Sequence, residues 1–118
     1  MYIVHVDNSD FFRKVMRLFL SGLGHEYRGC SRGEDAIDAV MAGNVDWVIT
    51  GLELADMSGE DFLKQLAVSV QEIPIIVVTG SNTEEQNRHL QDLGVKAVIQ
   101  KSGNWKAEIR DQLTNTIE

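Results

Sequence analysis

The sequence predicts an α/β fold in which five β–α units form one doubly wound, parallel five-stranded sheet. Short apolar segments alternate with longer segments whose apolar residues recur at helical spacing, and glycines or polar residues separate them. Parallel strands need long crossover connections, and both faces of such a sheet must be covered, so we expect helices on both faces. The 118 residues suit one domain, 1–118, without a linker or an internal repeat.

The strands are predicted at five short apolar segments. These segments are residues 3–6, 26–30, 46–50, 75–78 and 95–99, and the one that follows Pro74 is the most apolar. Runs of four to eight residues that end at polar or glycine residues are typical of buried strands. The sequence therefore places the carboxyl end of the first strand at Asp7 and Asn8.

The helices are predicted from apolar stripes between these strands. They define the first, second, third and fifth helices, and the fourth helix, at about 83–93, is polar. Ser9 or Asn8 is expected to cap the first helix, and Gly22 and Gly24 to end it. The apolar positions are Phe12, Val15, Met16, Phe19 and Leu20; Ala36, Ile37, Val40 and Met41; Phe62, Leu63 and Leu66; and Trp105, Ile109 and Leu113 with Thr116 or Ile117.

Composition narrows the classes of partner. The formal net charge of −7 repels phosphate backbones, so direct binding of nucleic acid is not expected. No apolar run approaches the roughly 18 residues that a bilayer requires, so no membrane association is expected either. Cys30 is the only cysteine, which excludes an intrachain disulfide and favours the cytoplasm.

Four of the predicted strands end in residues that can form a site. In open parallel sheets, ligands bind outside the carboxyl ends of the strands, near the switch in strand order. Asp7 and Asn8 follow the first strand, Gly51 the third, Thr79 the fourth and Lys101 the fifth. We therefore expect these residues to lie together.

The segments around these residues resemble the receiver domain of two-component response regulators over essentially the whole chain. The resemblance implies a flavodoxin-like (CheY-like) sheet with strand order 2-1-3-4-5. Each segment alone is a weak signal, but five of them in order at matching separations are specific. They are Val6-Asp7-Asn8-Ser9, Asp46-Trp47-Val48-Ile49-Thr50, Met57-Ser58-Gly59, Pro74 to Thr79, and Gly94 to Lys101.

The resemblance also implies a phosphorylation pocket. In working receivers an acidic pair after the first strand helps to hold Mg²⁺, and an aspartate after the third strand accepts the phosphoryl group. A threonine or serine and a lysine, after the fourth and fifth strands, contact the phosphoryl oxygens. Oxygen ligands suit Mg²⁺, and lysine with the metal offsets the charge that gathers on the transferred group.

This sequence keeps only part of that set. Asp7, Thr79 and Lys101 match the family, but Asn8 replaces the second acid and Gly51 stands at the acceptor position. Glycine has no side chain, so the resemblance implies a degenerate pocket without a phosphoacceptor. Mg²⁺ is expected to bind weakly at most, through Asp7, and no other cofactor is expected. The glycine is either natural or an engineered change that silences the domain.

Two family prolines are also replaced, by Ala55 and Ser102. These independent departures favour natural degeneration over an engineered change. A cis bond before a residue other than proline costs about 2.5–4 kcal/mol, so the bond from Lys101 to Ser102 is predicted to be trans.

Several of these residues also have simpler structural interpretations. Lys101 is expected to form an ion pair with Asp7, as the nearest partner, or with Glu53. Thr79 can satisfy a hydrogen bond at the strand end. Glu53, two residues beyond Gly51, either turns its carboxylate toward the pocket or points to solvent. His5, on the first strand, is predicted to be a hydrogen-bonded core residue.

The main functional hypothesis is a signalling domain that binds a protein partner and is not an enzyme. The partner would be a histidine kinase, an output domain or another signalling protein. The face of the fourth helix, fifth strand and fifth helix is the one that the family uses, and here it includes Lys96, Val98, Gln100 and Trp105. Val98 replaces the aromatic residue that many receivers use as a switch.

Two alternatives remain open. The domain can be a regulated receiver that uses another acceptor or a bound anion beside Lys101. It can also be an enzyme of flavodoxin-like architecture, which the absence of a nucleophile–base pair at the strand ends disfavours. Separately, Phe11 and Leu18 lie beside the stripe of the first helix and, together with the fifth helix, are candidates for a small docking patch.

Overall fold

The computed structural model describes residues 1–69, 72–80 and 83–114. Five parallel strands form one sheet in the order β2-β1-β3-β4-β5, which confirms the predicted fold class and strand order. The strands are β1 (Tyr2–Val6), β2 (Glu26–Cys30), β3 (Trp47–Thr50), β4 (Ile75–Thr79) and β5 (Ala97–Gln100). The helices are α1 (Asp10–Gly22), α2 (Gly33–Met41), α3 (Gly59–Ser69), α4 (Glu84–Asp92) and α5 (Trp105–Thr114).

The element ends differ from the sequence prediction by one or two residues. β5 begins at Ala97 instead of Val95, because Gly94 adopts a left-handed φ of 95° and the chain joins the sheet only when Lys96 N–H donates to Ile75 O. Thr83 is the N-cap of α4 and not its first residue. The expected inward positions Thr116 and Ile117 lie outside the described residues.

Local sequence signals set both ends of α1. The Ser9 hydroxyl, and not the Asn8 side chain, accepts the hydrogen bond from Phe12 N–H at the N-terminus. At the other end the helix reaches Gly22, and Gly24 turns the chain with a φ of 88°. The stripe is buried at Phe12, Met16 and Leu20 and half-buried at Val15 and Phe19.

Alternate strand residues supply two apolar layers, one on each face of the sheet. Helices α1 and α5 cover the first layer, and α2, α3 and α4 cover the second. Because successive side chains point to opposite faces, neighbours such as Ile3 and Val4 belong to different layers. The burial of β1, β3 and β4 on both sides explains why these strands are apolar almost throughout.

Across the described ranges, no helix is both long and apolar enough to cross a bilayer. Two residues on the outer surface of α1 break the general pattern. Phe11 is 75% exposed and Leu18 is 63% exposed, as their position beside the apolar stripe predicts.

Gly59 is required by close backbone packing at the start of α3. A Cβ atom at this position would lie 2.3 Å from Gly51 O and 2.8 Å from Leu52 Cα. Gly59 N–H donates to Leu52 O at 2.8 Å, so the helix start is fastened to the chain that leaves β3. The backbone around Gly51 is therefore held by a contact that no other residue type permits.

His5 is buried in a hydrogen-bond network, which confirms its predicted place in the core. The Tyr27 hydroxyl donates to Arg13 O at 3.0 Å, so it accepts from His5 Nδ1 at 2.7 Å, and His5 carries its proton on Nδ1. Nε2 is buried without a partner among the described residues. Burial lowers the pKa of His5 to about 4, and Asp7 opposes this shift only partly.

The substitution Gly59→Ala is expected to lower the free energy of unfolding by about 1–3 kcal/mol, because the backbone at Gly51 and Leu52 must move away from the new methyl group. Urea denaturation measures this change. The matched control is Gly22→Ala, at a helix end with nothing within 4 Å of the new Cβ atom, which should leave stability the same or slightly higher. Equal effects of the two substitutions would contradict the packing argument.

Stability is expected to fall as the pH decreases below the ordinary histidine pKa. In the unfolded chain His5 gains a proton near pH 6.5, whereas the folded protein resists protonation down to about pH 4. Between about pH 7.5 and 5.5 this difference costs about 1 kcal/mol. Urea denaturation at both pH values, with parent and His5→Leu, tests it. The variant should lose that part of the pH dependence, and an unchanged slope would contradict the assignment.

Candidate functional site

The carboxyl ends of β1, β3, β4 and β5 surround one cavity of about 540 Å³. All six residues that the sequence placed in a pocket lie in its wall: Asp7, Asn8, Gly51, Glu53, Thr79 and Lys101. The wall also contains Ser9, Leu52, Val78, Gly80 and Gln86. The cavity therefore lies where the strand order of the sheet predicts a ligand site.

The strongest electrostatic contact in the cavity joins Asp7 to Lys101. Lys101 Nζ lies 2.9 Å from Asp7 Oδ2, which confirms Asp7 as the expected partner of the lysine. This is an ion pair without good hydrogen-bond geometry, since Oδ2 has no hydrogen-bond partner among the described residues. The other oxygen, Oδ1, accepts from Ser9 N–H at 2.8 Å.

Lys101 is positioned by three further features. Its backbone N–H donates to Thr79 O at 2.8 Å, its Nζ lies 4.3 Å from the centre of the Phe12 ring, and it keeps 30% of its side chain exposed. The described chain has no cis peptide bond, so the bond to Ser102 is trans, as predicted.

Gly51 follows the last residue of β3 and lies directly beside Asp7. Its N–H donates to Val6 O at 2.9 Å, which continues the pairing of β3 with β1. A Cβ atom at this position would lie 3.0 Å from Asp7 Oδ2 and 3.3 Å from Asp7 Cγ. Any side chain at position 51 would thus begin against the carboxylate that Lys101 neutralises.

Thr79 and Glu53 occupy different environments at the cavity wall. Thr79 is buried at the end of β4, whereas Glu53 is exposed on the loop that follows β3, where an isolated bridge links it to Ser58. The Thr50 hydroxyl, buried behind the wall, donates to Gly51 O at 2.8 Å. Glu53 is therefore the one exposed carboxylate in the described wall of the cavity.

Asp56 lies outside the cavity and caps a neighbouring helix. Its two carboxylate oxygens accept from Gly33 N–H at 2.7 Å and Glu34 N–H at 3.1 Å, at the first turn of α2. Desolvation acts to raise the pKa of Asp56, but these backbone hydrogen bonds outweigh it and hold the pKa below its ordinary value. This role explains why Asp56 does not reach the vicinity of Gly51.

The residues predicted for a partner face divide into two groups. Lys96, just before β5, and Gln100, at its end, are exposed, and Val98 between them is half-buried against the apolar cluster that α4 covers. Trp105, which the sequence also places on the apolar stripe of the fifth helix, is half-buried, and its ring packs against Phe12 at 5.1 Å and Phe19 at 5.4 Å between ring centres.

Sequence reasoning missed two contributors to the site. Gln86 lies in the cavity wall because Thr83 and Gln86 form a capping box at the start of α4, and their spacing in the sequence was a usable signal. Arg13 supports the site from below by donating to Asp7 O at 2.7 Å. A contact from one turn inside a helix back to the preceding strand has no comparable sequence pattern.

Known proteins that resemble this chain are signalling proteins. The chain is 26% identical to the chemotaxis protein CheY-3 of Vibrio cholerae, covering 86% of this chain and 80% of that protein. It is 23% identical to the autoinducer 1 sensor kinase/phosphatase LuxN of Vibrio harveyi, covering 71% of this chain. The match spans only 10% of LuxN and 11% of the sensor histidine kinase RcsC of Escherichia coli.

Solved structures agree on the fold. The receiver domain of RstA from Klebsiella pneumoniae superposes with a TM-score of 0.89 at 16% identity, covering 100% of both chains. CheY4 from Vibrio cholerae gives a TM-score of 0.85 at 20% identity, with 97% of this chain and 96% of that one covered. The sequence family described as "Response regulator receiver domain" matches residues 3–114, and the chain belongs to that family.

Proposed function

We propose that this receiver domain is a protein-interaction module that is not phosphorylated at the position after β3 and has no enzymatic activity of its own. Gly51 carries the proposal, because it occupies the end of β3 at the wall of the cavity and offers no carboxylate to attack a phosphoryl group. The site is otherwise assembled around it, with Asp7, Thr79 and Lys101 in the same wall.

The ion pair between Asp7 and Lys101 supports a pocket that does not take up a phosphoryl group. Lys101 already has a carboxylate at 2.9 Å, so the charge that would meet a phosphoryl oxygen is neutralised within the protein. An incoming anion would have to compete with a buried carboxylate that is only 3% exposed.

The donor set does not fit a tight Mg²⁺ site. Only Asp7 and Glu53 bring carboxylates to the described cavity wall, and Asp7 already contacts Ser9 N–H and Lys101. Asn8 and Gly51 supply no charge where the family has acids. Mg²⁺ prefers near-ideal octahedral sites with anionic oxygen ligands, so we assign the metal no role here.

The proposed partner is another signalling protein, such as a histidine kinase or an output domain. Several relatives of this chain are sensor kinases in which the matching segment is a small part of a longer protein. The exposed Lys96, just before β5, and Gln100, at its end, remain candidates for the contact, together with the half-buried Val98.

A second candidate function is a receiver with a different acceptor. Glu53 is the observation that favours it, since its exposed carboxylate lies in the cavity wall two residues beyond Gly51. Asp7 is a poorer acceptor because it is buried and paired, and Asp56 is occupied at the start of α2.

Incubation with acetyl phosphate and Mg²⁺, followed by intact mass spectrometry, is expected to leave the parent protein unlabelled. Gly51→Asp should gain a small labelled fraction, and Asn8→Asp/Gly51→Asp a larger one, because the second acid restores a metal ligand. Labelling of the parent would overturn the proposal.

Peptide mapping separates the candidates, and Glu53→Gln is the matched control. Loss of parental labelling in Glu53→Gln would assign the acceptor to Glu53 and establish the second candidate. An unlabelled double variant would show that the pocket geometry has drifted too far for the family assignment of these residues.

Mg²⁺ is expected to raise the melting temperature of the double variant Asn8→Asp/Gly51→Asp by several degrees and to leave the parent unchanged. In the absence of metal the variant should melt below the parent, because the Cβ atom of the new aspartate would lie 3.0 Å from Asp7 Oδ2, which brings two carboxylates into one small site. A ligand that binds only the folded state stabilises it, so differential scanning fluorimetry with and without Mg²⁺ measures the effect. The control is Mg²⁺-free buffer in which NaCl gives the same ionic strength. A similar rise in the melting temperature of the parent on addition of Mg²⁺ would contradict the proposal.

A further inference from the structure

The positive charges of this acidic protein are concentrated in one segment. Residues 11–32 contain five of the eleven lysines and arginines and one of the eighteen acidic residues. The five cationic residues are Arg13, Lys14, Arg17, Arg28 and Arg32, and the acidic one is Glu26. The segment forms the edge strand β2 and all of α1 except its first residue, Asp10, which pairs with Arg13, so these two elements carry a net positive charge in a protein of net charge −7.

Four of these cations line a shallow groove of about 480 Å³ between α1 and β2. Arg13 is engaged by Asp10 and Asp7 O. Lys14, Arg17 and Arg28, by contrast, form no ion pair within the part of the chain that the structure describes. The groove shares no residue with the cavity at Gly51.

The backbone of β2 is open along this groove. In a parallel strand, alternate residues direct both backbone groups to the same neighbour. Glu26 N–H donates to Met1 O and Cys30 O accepts from Asp7 N–H, so these residues face β1. Tyr27 and Gly29 therefore direct their N–H and C=O groups to the free edge of the sheet.

Cations that have no carboxylate partner among the described residues lie on both faces of that edge, although the Arg28 side chain also hydrogen-bonds the Tyr2 and Cys30 side chains. Lys14 and Arg17 belong to α1, which covers one face, and Arg28 pairs in register with Val4, whose side chain belongs to the opposite layer. Gly29 has no side chain, and the Tyr27 ring covers it, with the Tyr27 hydroxyl 2.8 Å from where a Cβ atom would lie. A strand added here would project alternate side chains toward cations on each face.

We propose that the β2 edge binds an extended, acidic segment of a partner protein by strand addition. Backbone hydrogen bonds at Tyr27 and Gly29 supply the pairing, and carboxylates of the segment meet Lys14 and Arg17 on one face and Arg28 on the other. Glu26 lies on the face of Arg28 at the start of the strand, so the acidic contacts fall toward the Cys30 end.

Charged residues at a sheet edge also prevent aggregation, and the cations at the β2 edge can serve this role as well as the binding of an acidic strand. A second copy would bring the same cations to its own β2 edge, so self-pairing is repelled, while an acidic strand is attracted. A long nucleic acid is disfavoured, because its phosphates would extend from the groove over the acidic remainder of the protein. A short protein segment needs only the length of the groove.

The test compares two fluorescein-labelled nonapeptides of equal charge, three Glu-Glu-Val repeats and three Glu-Glu-Pro repeats. The valine peptide is expected to bind the full chain at least about tenfold more tightly, because proline has no N–H for the ladder. Fluorescence polarisation measures the affinity. Binding should also slow the hydrogen exchange of the Tyr27 and Gly29 amides.

Charge reversal supplies the second arm. Arg17→Glu/Arg28→Glu should weaken binding of the valine peptide about tenfold or more, whereas Lys64→Glu/Arg88→Glu, the same charge change at exposed positions elsewhere, should have little effect. If the first double variant does not fold, Lys14→Gln/Arg17→Gln replaces it with the same expected direction.

Three outcomes would overturn the proposal. Equal affinity for the two peptides would show that charge attraction alone causes the binding and that no strand is added to the sheet. No binding of the valine peptide up to about 1 mM, the weak end of measurable affinities, would exclude the acidic strand. Inorganic tripolyphosphate that binds as tightly as the peptide would assign the groove to small polyanions.

Discussion

A buried carboxylate at the end of β1 organises the rest of the site. Asp7 is only 3% exposed, and a charge taken out of water is tolerated when fixed dipoles and an opposite charge replace the lost hydration. Ser9 N–H at the start of α1 and Lys101 after β5 provide that replacement. Asp7 thereby joins three elements that are distant in the sequence, and its burial requires all three.

Under the proposed function, the Asp7 carboxylate also determines how glycine at position 51 affects the charge balance of the pocket. With an aspartate at position 51, two carboxylates would share Lys101 and would need a further cation to coexist. With glycine, one negative charge and one positive charge are matched and the pocket is stable without a ligand. The proposal that the domain signals through its surface rests on this neutralised charge, since an incoming phosphate would have to displace Asp7 from Lys101.

The fold was predictable because its determinants are local and repeated. Apolar stripes, the caps at Ser9 and Thr83, and the glycine turns all lie within a few residues of the elements that they define. The site followed from topology, since strand ends converge by necessity. Contacts set by packing were not predictable: the ring of Trp105 against α1 and the Asp56 carboxylates at α2 depend on the relative placement of whole helices.

The pocket and the β2 edge are neighbours, and Arg13 contacts both. Its guanidinium donates to Asp7 O, and its carbonyl accepts from the Tyr27 hydroxyl, which also binds His5. Physical contact alone does not couple two sites, because coupling requires an element with two arrangements whose balance both sites shift. Here Arg13 is held by the Asp7 carbonyl and the Asp10 carboxylate. The Tyr27 hydroxyl is held by the Arg13 carbonyl and the buried His5 ring. That rigidity favours a fixed support for two independent surfaces over a path between them.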